Sequence, residues 1–198
     1  MAAWLNAGNG NGVPRDCRAG GGGAPAAAVE ADRVNGLSLF SGIGGLDLGL
    51  ERAGVRVVGQ VEIDPWRRRV LAKHWPEVPR HDDVRTAVEW WASEERPHVE
   101  LVFGGFPCQP VSAAGRRRGT DDERWLWPAF ADVVRRLRPR YVLLENVPRI
   151  LVPWRDDGGG WNPAPVEGVL GDLAACGYDA EWNCVPAEIG RASCRERV

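Results

Sequence analysis

The residue best placed for covalent chemistry is Cys108, in the run Gly104-Gly105-Phe106-Pro107-Cys108-Gln109-Pro110. A cysteine attacks as its thiolate, which must be held within reach of an electrophile rather than sealed in a core. Pro107 and Pro110 fix φ on both sides and remove two amide donors, which suits a rigid, exposed loop. Just before it, Val99-Glu100-Leu101-Val102-Phe103 reads as a short buried strand, and two glycines let the chain turn at its carboxyl end. Open α/β sheets bind ligands at that edge. Cys176, near the end of a helical pattern, and Cys184, in a strand pattern, read instead as small core hydrophobes.

The elements that position this loop belong to a chain of 198 residues with 44% hydrophobic composition, enough for one sizeable core and too little for two domains. A formal net charge of -2 argues against a generally basic coat for nucleic acid, while Arg116-Arg117-Arg118 and Arg135-Arg136 leave room for a local basic groove. Lys73 is the only lysine. Guanidinium suits phosphate and base-edge contacts, although a base-composition bias in the gene accounts for the arginines equally well. The five cysteines are widely spaced with no Cys-x-x-Cys pair, so reduced thiols are expected and no metal site. Neither a leader nor a run of roughly 18 apolar residues is present, which predicts a cytoplasmic protein with no membrane contact. Residues 1–35, Gly/Ala-rich with few bulky apolar side chains, read as a disordered tail, and residues 36–198 as one folded domain.

From Gly36 the pattern alternates. Leu37 to Phe40 reads as a strand, followed by a glycine turn at Ser41-Gly42-Ile43-Gly44-Gly45 and a helix with Leu46, Gly49, Leu50 and Ala53 on one face. Val55 to Val61 is a second strand, and Asp64-Pro65 starts a helix with Asp as N-cap and Pro at the first position. A weak strand near Val78 to His81 precedes the one leading to Cys108. A helix through Phe130, Val133, Val134 and Leu137 then leads to the strand Tyr141 to Leu144, a flexible loop at 156–160, a helix through Val166, Val169, Leu170 and Leu173, and a strand from Tyr178 to Val185. Such alternation predicts an α/β fold with a doubly wound, mostly parallel sheet.

The glycine turn invites a dinucleotide reading, but Asp47 stands where the third glycine of G-x-G-x-x-G belongs, and no phosphate-loop Gly-Lys-Ser/Thr occurs. A nucleoside cofactor without a pyrophosphate fits better. Glu62 could accept hydrogen bonds from both ribose hydroxyls and Asp83 one from an adenine amino group; taken singly, each acid is more often a solvated surface charge.

Together, Phe40-x-Gly42-x-Gly44-Gly45, Glu62 with Asp64, Asp83-Val84, Gly105-Phe106-Pro107-Cys108-Gln109-Pro110-x-Ser112 and Glu145-Asn146-Val147 resemble the DNA (cytosine-5)-methyltransferases in order and spacing. The resemblance covers residue 37 to about residue 190. It implies the Rossmann-like fold of S-adenosylmethionine-dependent methyltransferases, with S-adenosylmethionine as a cofactor that carries no phosphate. Phe40, Gly42, Gly44 and Leu46 would line its amino acid end, Glu62 would hold the ribose, Ile63 would pack on the adenine, Asp83 and Val84 would read the adenine edge, and Pro107 would complete the pocket. Cys108 and Glu145 would be catalytic, and Gln109, Ser112 and Asn146 would bind substrate. The implied partner is double-stranded DNA with the target cytosine flipped out, the protein otherwise a monomer in a restriction-modification setting. Glycine hinges at Gly115 and Gly119 would let the arginine-rich loop close over phosphates.

Near the carboxyl end the family's Gln-x-Arg-x-Arg is represented by Ser193-Cys194-Arg195-Glu196-Arg197, in which the arginines match and the glutamine does not. No role is assigned to Arg195 or Arg197. The family's last strand and target-recognition domain have no counterpart before Val198. Three expectations follow for the chain taken alone: methyl transfer only with a complementary C-terminal chain, binding of cofactor or nucleic acid without turnover, or kinship with enzymes acting on tRNA cytosine.

Overall fold

The computed structural model describes residues 2–7, 33–107, 125–155 and 159–183. Strands β1 (Ala2–Ala7), β2 (Asn35–Leu39), β3 (Arg56–Val61), β4 (Arg80–His81), β5 (Leu101–Gly104), β6 (Tyr141–Glu145) and β9 (Tyr178–Asn183) form one seven-stranded sheet in the order β4-β3-β2-β5-β6-β1-β9. Between them lie helices α1 (Gly45–Arg52), α2 (Pro65–His74), α3 (Ala87–Ala92), α4 (Trp127–Leu137) and α5 (Pro165–Ala175), and a small antiparallel pair, β7 (Trp154–Arg155) with β8 (Trp161–Asn162). The strands from β4 to β6 pair in parallel, with β2 next to both β3 and β5. Strand order therefore reverses at the β2/β5 boundary, where such sheets leave a crevice at their carboxyl ends.

Strands covered on both faces read as continuous apolar runs, and β5 and β6 sort their side chains by alternation. Val102, Val142 and Leu144 join Phe130, Val133, Val134, Val169 and Leu173 of α4 and α5 on one face; Leu101, Phe103 and Leu143 join Leu50 of α1 on the other. Phe103 and Phe130 are fully buried. Asp64 caps α2 as expected, its side chain accepting from the amides of Trp66 at 2.7 Å and Arg67 at 3.1 Å. Chain reversal after α4 uses Arg138 in the left-handed region (φ 51°) ahead of Pro139, whose carbonyl accepts from the buried Tyr178 hydroxyl.

The structure departs from expectation in three places. Ala2–Ala7, read above as part of a disordered tail, is a strand inserted antiparallel between β6 and β9. Its pairing depends on main-chain groups, which composition does not report, and the segment holds no glycine or proline to oppose extension. The buried stripe of α1 runs through Asp47 and Leu50, whereas Gly49 and Ala53 face solvent. The six-residue helix α3 was also unforeseen; Trp91 from it packs over Gly59, where a Cβ would lie 2.9 Å from Leu37 Cδ1 and overlap the indole.

Candidate active site at the carboxyl edge of the sheet

The glycine turn after β2 is held from the neighbouring strand. The Ser41 amide donates to the Val61 carbonyl at 3.0 Å, and the Gly42 amide donates to Glu62 Oε2 at 2.8 Å. Glu62 is 4% exposed and its Oε1 accepts from the Asp64 amide at 2.9 Å, so this carboxylate joins the glycine turn to the start of α2. The backbone of the turn is special: Phe40, Gly42 and Gly44 all have positive φ, at 55°, 59° and 88°. For phenylalanine that conformation is costly and persists only where its surroundings over-determine it. Here Phe40 stacks on Phe130 with centroids 6.4 Å apart.

Across the β2/β5 boundary, Gly104 and Gly105 allow close approach. A Cβ at Gly105 would lie 2.6 Å from Glu145 Oε2, so only glycine lets the Glu145 carboxylate rest over the start of the Cys108 loop. Asn146 is buried, donates from Nδ2 to the Phe106 carbonyl at 3.1 Å and accepts the Val147 amide at 2.9 Å, tying the end of β6 to the residue before Pro107. Under this junction Phe106 packs against Trp125, Trp127 and Phe130, with ring centroids 5.3 to 6.4 Å apart.

A cavity of about 430 Å³ opens here, lined by Phe40, Ser41, Leu46 and Asp47 from the first turn and helix and by Gly104, Gly105 and Glu145 from the second and third strand ends. Thus Phe40, Leu46 and Glu145 line one cavity, with Asn146 and Pro107 adjoining. Gly42 and Gly44 shape the turn. Ile63 is 64% exposed beyond it. Val84 is buried in the core, and Asp83 caps its own short turn, accepting from the Arg85 amide at 2.9 Å. Cys108, Gln109 and Ser112 lie outside the described residues, as does the arginine-rich loop. Among the described residues no group of His, Cys, Asp and Glu could hold a metal ion, and no helix is long and apolar enough to cross a membrane.

The description "C-5 cytosine-specific DNA methylase" matches residues 34–198. The chain belongs to that family. This methylase chain is 35% identical over 167 residues to the type II methyltransferase M.HgiCII of Herpetosiphon aurantiacus, covering 82% of itself and 35% of that protein. It is 31% identical to M.NgoMIV of Neisseria gonorrhoeae, covering 82% of itself and 49% of the relative. It therefore spans a third to a half of the length of these curated relatives. Among solved structures, a DNA modification methyltransferase encoded within an E. coli prophage aligns at TM-score 0.54 and 29% identity, over 72% of this chain and 37% of that one. A Spodoptera frugiperda DNMT2 aligns at TM-score 0.52 and 21% identity, over 72% and 41%, a likeness of fold.

Two features of the methylase site escaped the sequence reading. The aromatic bed of Trp125, Trp127 and Phe130 was seen only in part, because the two tryptophans precede the helical periodicity. Asp47 was noted only as a missing glycine; its signal was an acid on the same helical face as Leu50.

Proposed function

We propose that this methylase chain is the catalytic portion of an enzyme that transfers a methyl group from S-adenosylmethionine to C5 of cytosine in DNA, with Cys108 as covalent nucleophile. The carrying observation is that the glycine turn of β2 and the Glu145 carboxylate open into one cavity, so a donor on the turn and a ring under the carboxylate would share a wall. The residues fit such a cofactor: its amino acid end requires close backbone approach, and in the glycine turn Gly42 and Gly45 have open space where a side chain would stand. Phe40, Gly42, Gly44 and Leu46 would hold that end, with Glu62, Ile63, Asp83, Val84 and Pro107 toward the nucleoside. Free lone pairs remain on the Glu62 carboxylate for a ribose hydroxyl. When bound, the cofactor supplies an electrophilic methyl on a cationic sulfur.

Cytosine C5 is too weak a nucleophile to accept that methyl unaided. The Cys108 thiolate would add to C6, forming an S–C6 bond and pushing the ring electrons toward C5. Glu145 would share a proton with N3 and make the ring the better electrophile. Asn146 would keep the loop in register by holding the Phe106 carbonyl, with Gln109 and Ser112 on the substrate side. After C5 is methylated, loss of the C5 proton to a base expels Cys108 and restores the ring. The base must leave the duplex for this to happen. The relatives' type II methyltransferase names support a restriction-modification role.

A second reading is binding of cofactor or nucleic acid without turnover. One experiment separates the two: DNA containing 5-fluorocytosine is incubated with the chain and S-adenosylmethionine, with and without the C-terminal portion of a relative. A denaturation-resistant adduct that disappears in Cys108→Ser supports the enzyme; binding with no adduct in either arm supports the second reading. An adduct that persists in Cys108→Ser removes Cys108 as nucleophile.

A further inference from the structure

The register of β2 and β3 sets Ser38 beside Gln60, and both side chains are buried on the sheet face that α1 covers. Asp47, in the first turn of α1, is 0% exposed and closes over the pair: Oδ2 accepts from Ser38 Oγ at 3.0 Å and Oδ1 from Gln60 Nε2 at 2.9 Å. Both partners are neutral. A carboxylate removed from water is ordinarily met by a cation, yet among the described residues no arginine, lysine or histidine pairs with Asp47. Its backbone and helix turn form part of the wall of the cavity that receives the glycine turn. Burial pushes its carboxyl above the ordinary range, against the hydrogen bonds from Gln60 and Ser38.

We propose that Asp47 is a positioning residue whose buried carboxylate supplies the counter-charge for the cationic methionine end of the cofactor, acting from beneath the cavity wall. The role rests on the S-adenosylmethionine reading above. Its chemistry separates ligands by charge. S-adenosylmethionine carries a sulfonium beside its ammonium and carboxylate, S-adenosylhomocysteine only the ammonium and carboxylate, which cancel in net charge, and 5′-methylthioadenosine no charge. A purely structural Asp47 would affect all three alike.

The test is calorimetric binding of these three ligands to the parent chain, to Asp47→Asn and to Ser38→Ala. Asn keeps the size and removes the charge, its oxygen able to accept from Gln60 and its amide nitrogen to donate to the Ser38 hydroxyl; Ser38→Ala removes a hydrogen bond while keeping the charge. Asp47→Asn is expected to weaken S-adenosylmethionine by at least about tenfold and S-adenosylhomocysteine by less, and to leave 5′-methylthioadenosine within about twofold. Ser38→Ala is expected to lower thermal stability while keeping the parent's ratio of affinities. Proportional loss across the ligands in Asp47→Asn, or no loss, overturns the proposal. If the parent binds none of the three, the cofactor reading fails as well, a result distinct from uniform binding by parent and variant.

Discussion

Gly104 and Gly105 are adjacent, neither has positive φ, and alanine should nevertheless have unequal effects at the two. At Gly104 an added Cβ would run into the Leu39 carbonyl oxygen, with the carbonyl carbon 2.9 Å away. Leu39 is the register partner of Gly104, so the obstacle is backbone of the neighbouring strand, and β2 and β5 must separate to make room. Overpacking in a well-packed region costs about 1–3 kcal/mol, and a clash that only backbone movement relieves belongs at the upper end. At about 2–4 °C per kcal/mol for a domain of this size, ~3 kcal/mol lowers the unfolding midpoint by ~6–12 °C. At Gly105 the first atom met is Glu145 Oε2 at 2.6 Å, the free end of a side chain that can swing away, and the Glu145 carbonyl oxygen at 3.2 Å needs only a small adjustment. Gly105→Ala should therefore cost below about 1 kcal/mol while displacing the carboxylate. Thermal and urea unfolding of the two variants, followed by tryptophan fluorescence, measures the difference, and a crystal structure of Gly105→Ala locates Glu145. Midpoints within about 2 °C of each other would mean that strand approach at Gly104 is not what excludes a side chain there.

Three further outcomes are expected. Phe130→Ala should destabilise the fold by about 3–5 kcal/mol, since the ring is fully buried among Phe40, Phe106 and Trp127; a loss near 1 kcal/mol, read from chemical denaturation, would contradict tight packing beneath the loop. Asp47 binds its proton more tightly folded than unfolded, so its contribution is fully present below the ordinary aspartate value and is lost as pH rises through the raised one. Unfolding free energy measured against pH should therefore show a downward component above pH ~4 that Asp47→Asn removes; identical profiles would refute it. Deleting residues 1–7 should expose the β9 amides to hydrogen exchange while β2 and β5 stay protected; unchanged β9 protection would show that β1 does not hold it.

Much of the scaffold was legible because it rests on local signals. Unbroken apolar runs at Leu101 to Phe103 and Tyr141 to Leu144 mark strands buried on both faces, and Asp64-Pro65 announces a capped helix wherever it occurs. The turns at the sheet edge were legible because glycine permits backbone conformations closed to other residues at Gly42 and Gly44, and proline fixes φ at Pro107. What escaped depends on partners remote in sequence. The inward turn of Glu62 to the Gly42 amide requires knowing that β2 and β3 are neighbours. The burial of Asp47 requires Ser38 and Gln60 to be cross-strand neighbours, and nothing local distinguishes it from an exposed acid in a first helical turn. Helix α3 is too short for periodicity to register.

The placement of β1 also sets an order of events during synthesis. It leaves the ribosome before the other strands of this sheet, yet its pairing of Ala2 with Glu145 waits for about 140 further residues. At ~5–20 residues per second that is a delay of ~7–28 s, during which the central strands β2 to β5 can already pair. Made before the other strands of this sheet, β1 is thus among the last to be installed, and a nascent chain can pass through a stage in which β2, β3 and β5 are paired while the edge of β6 is still open.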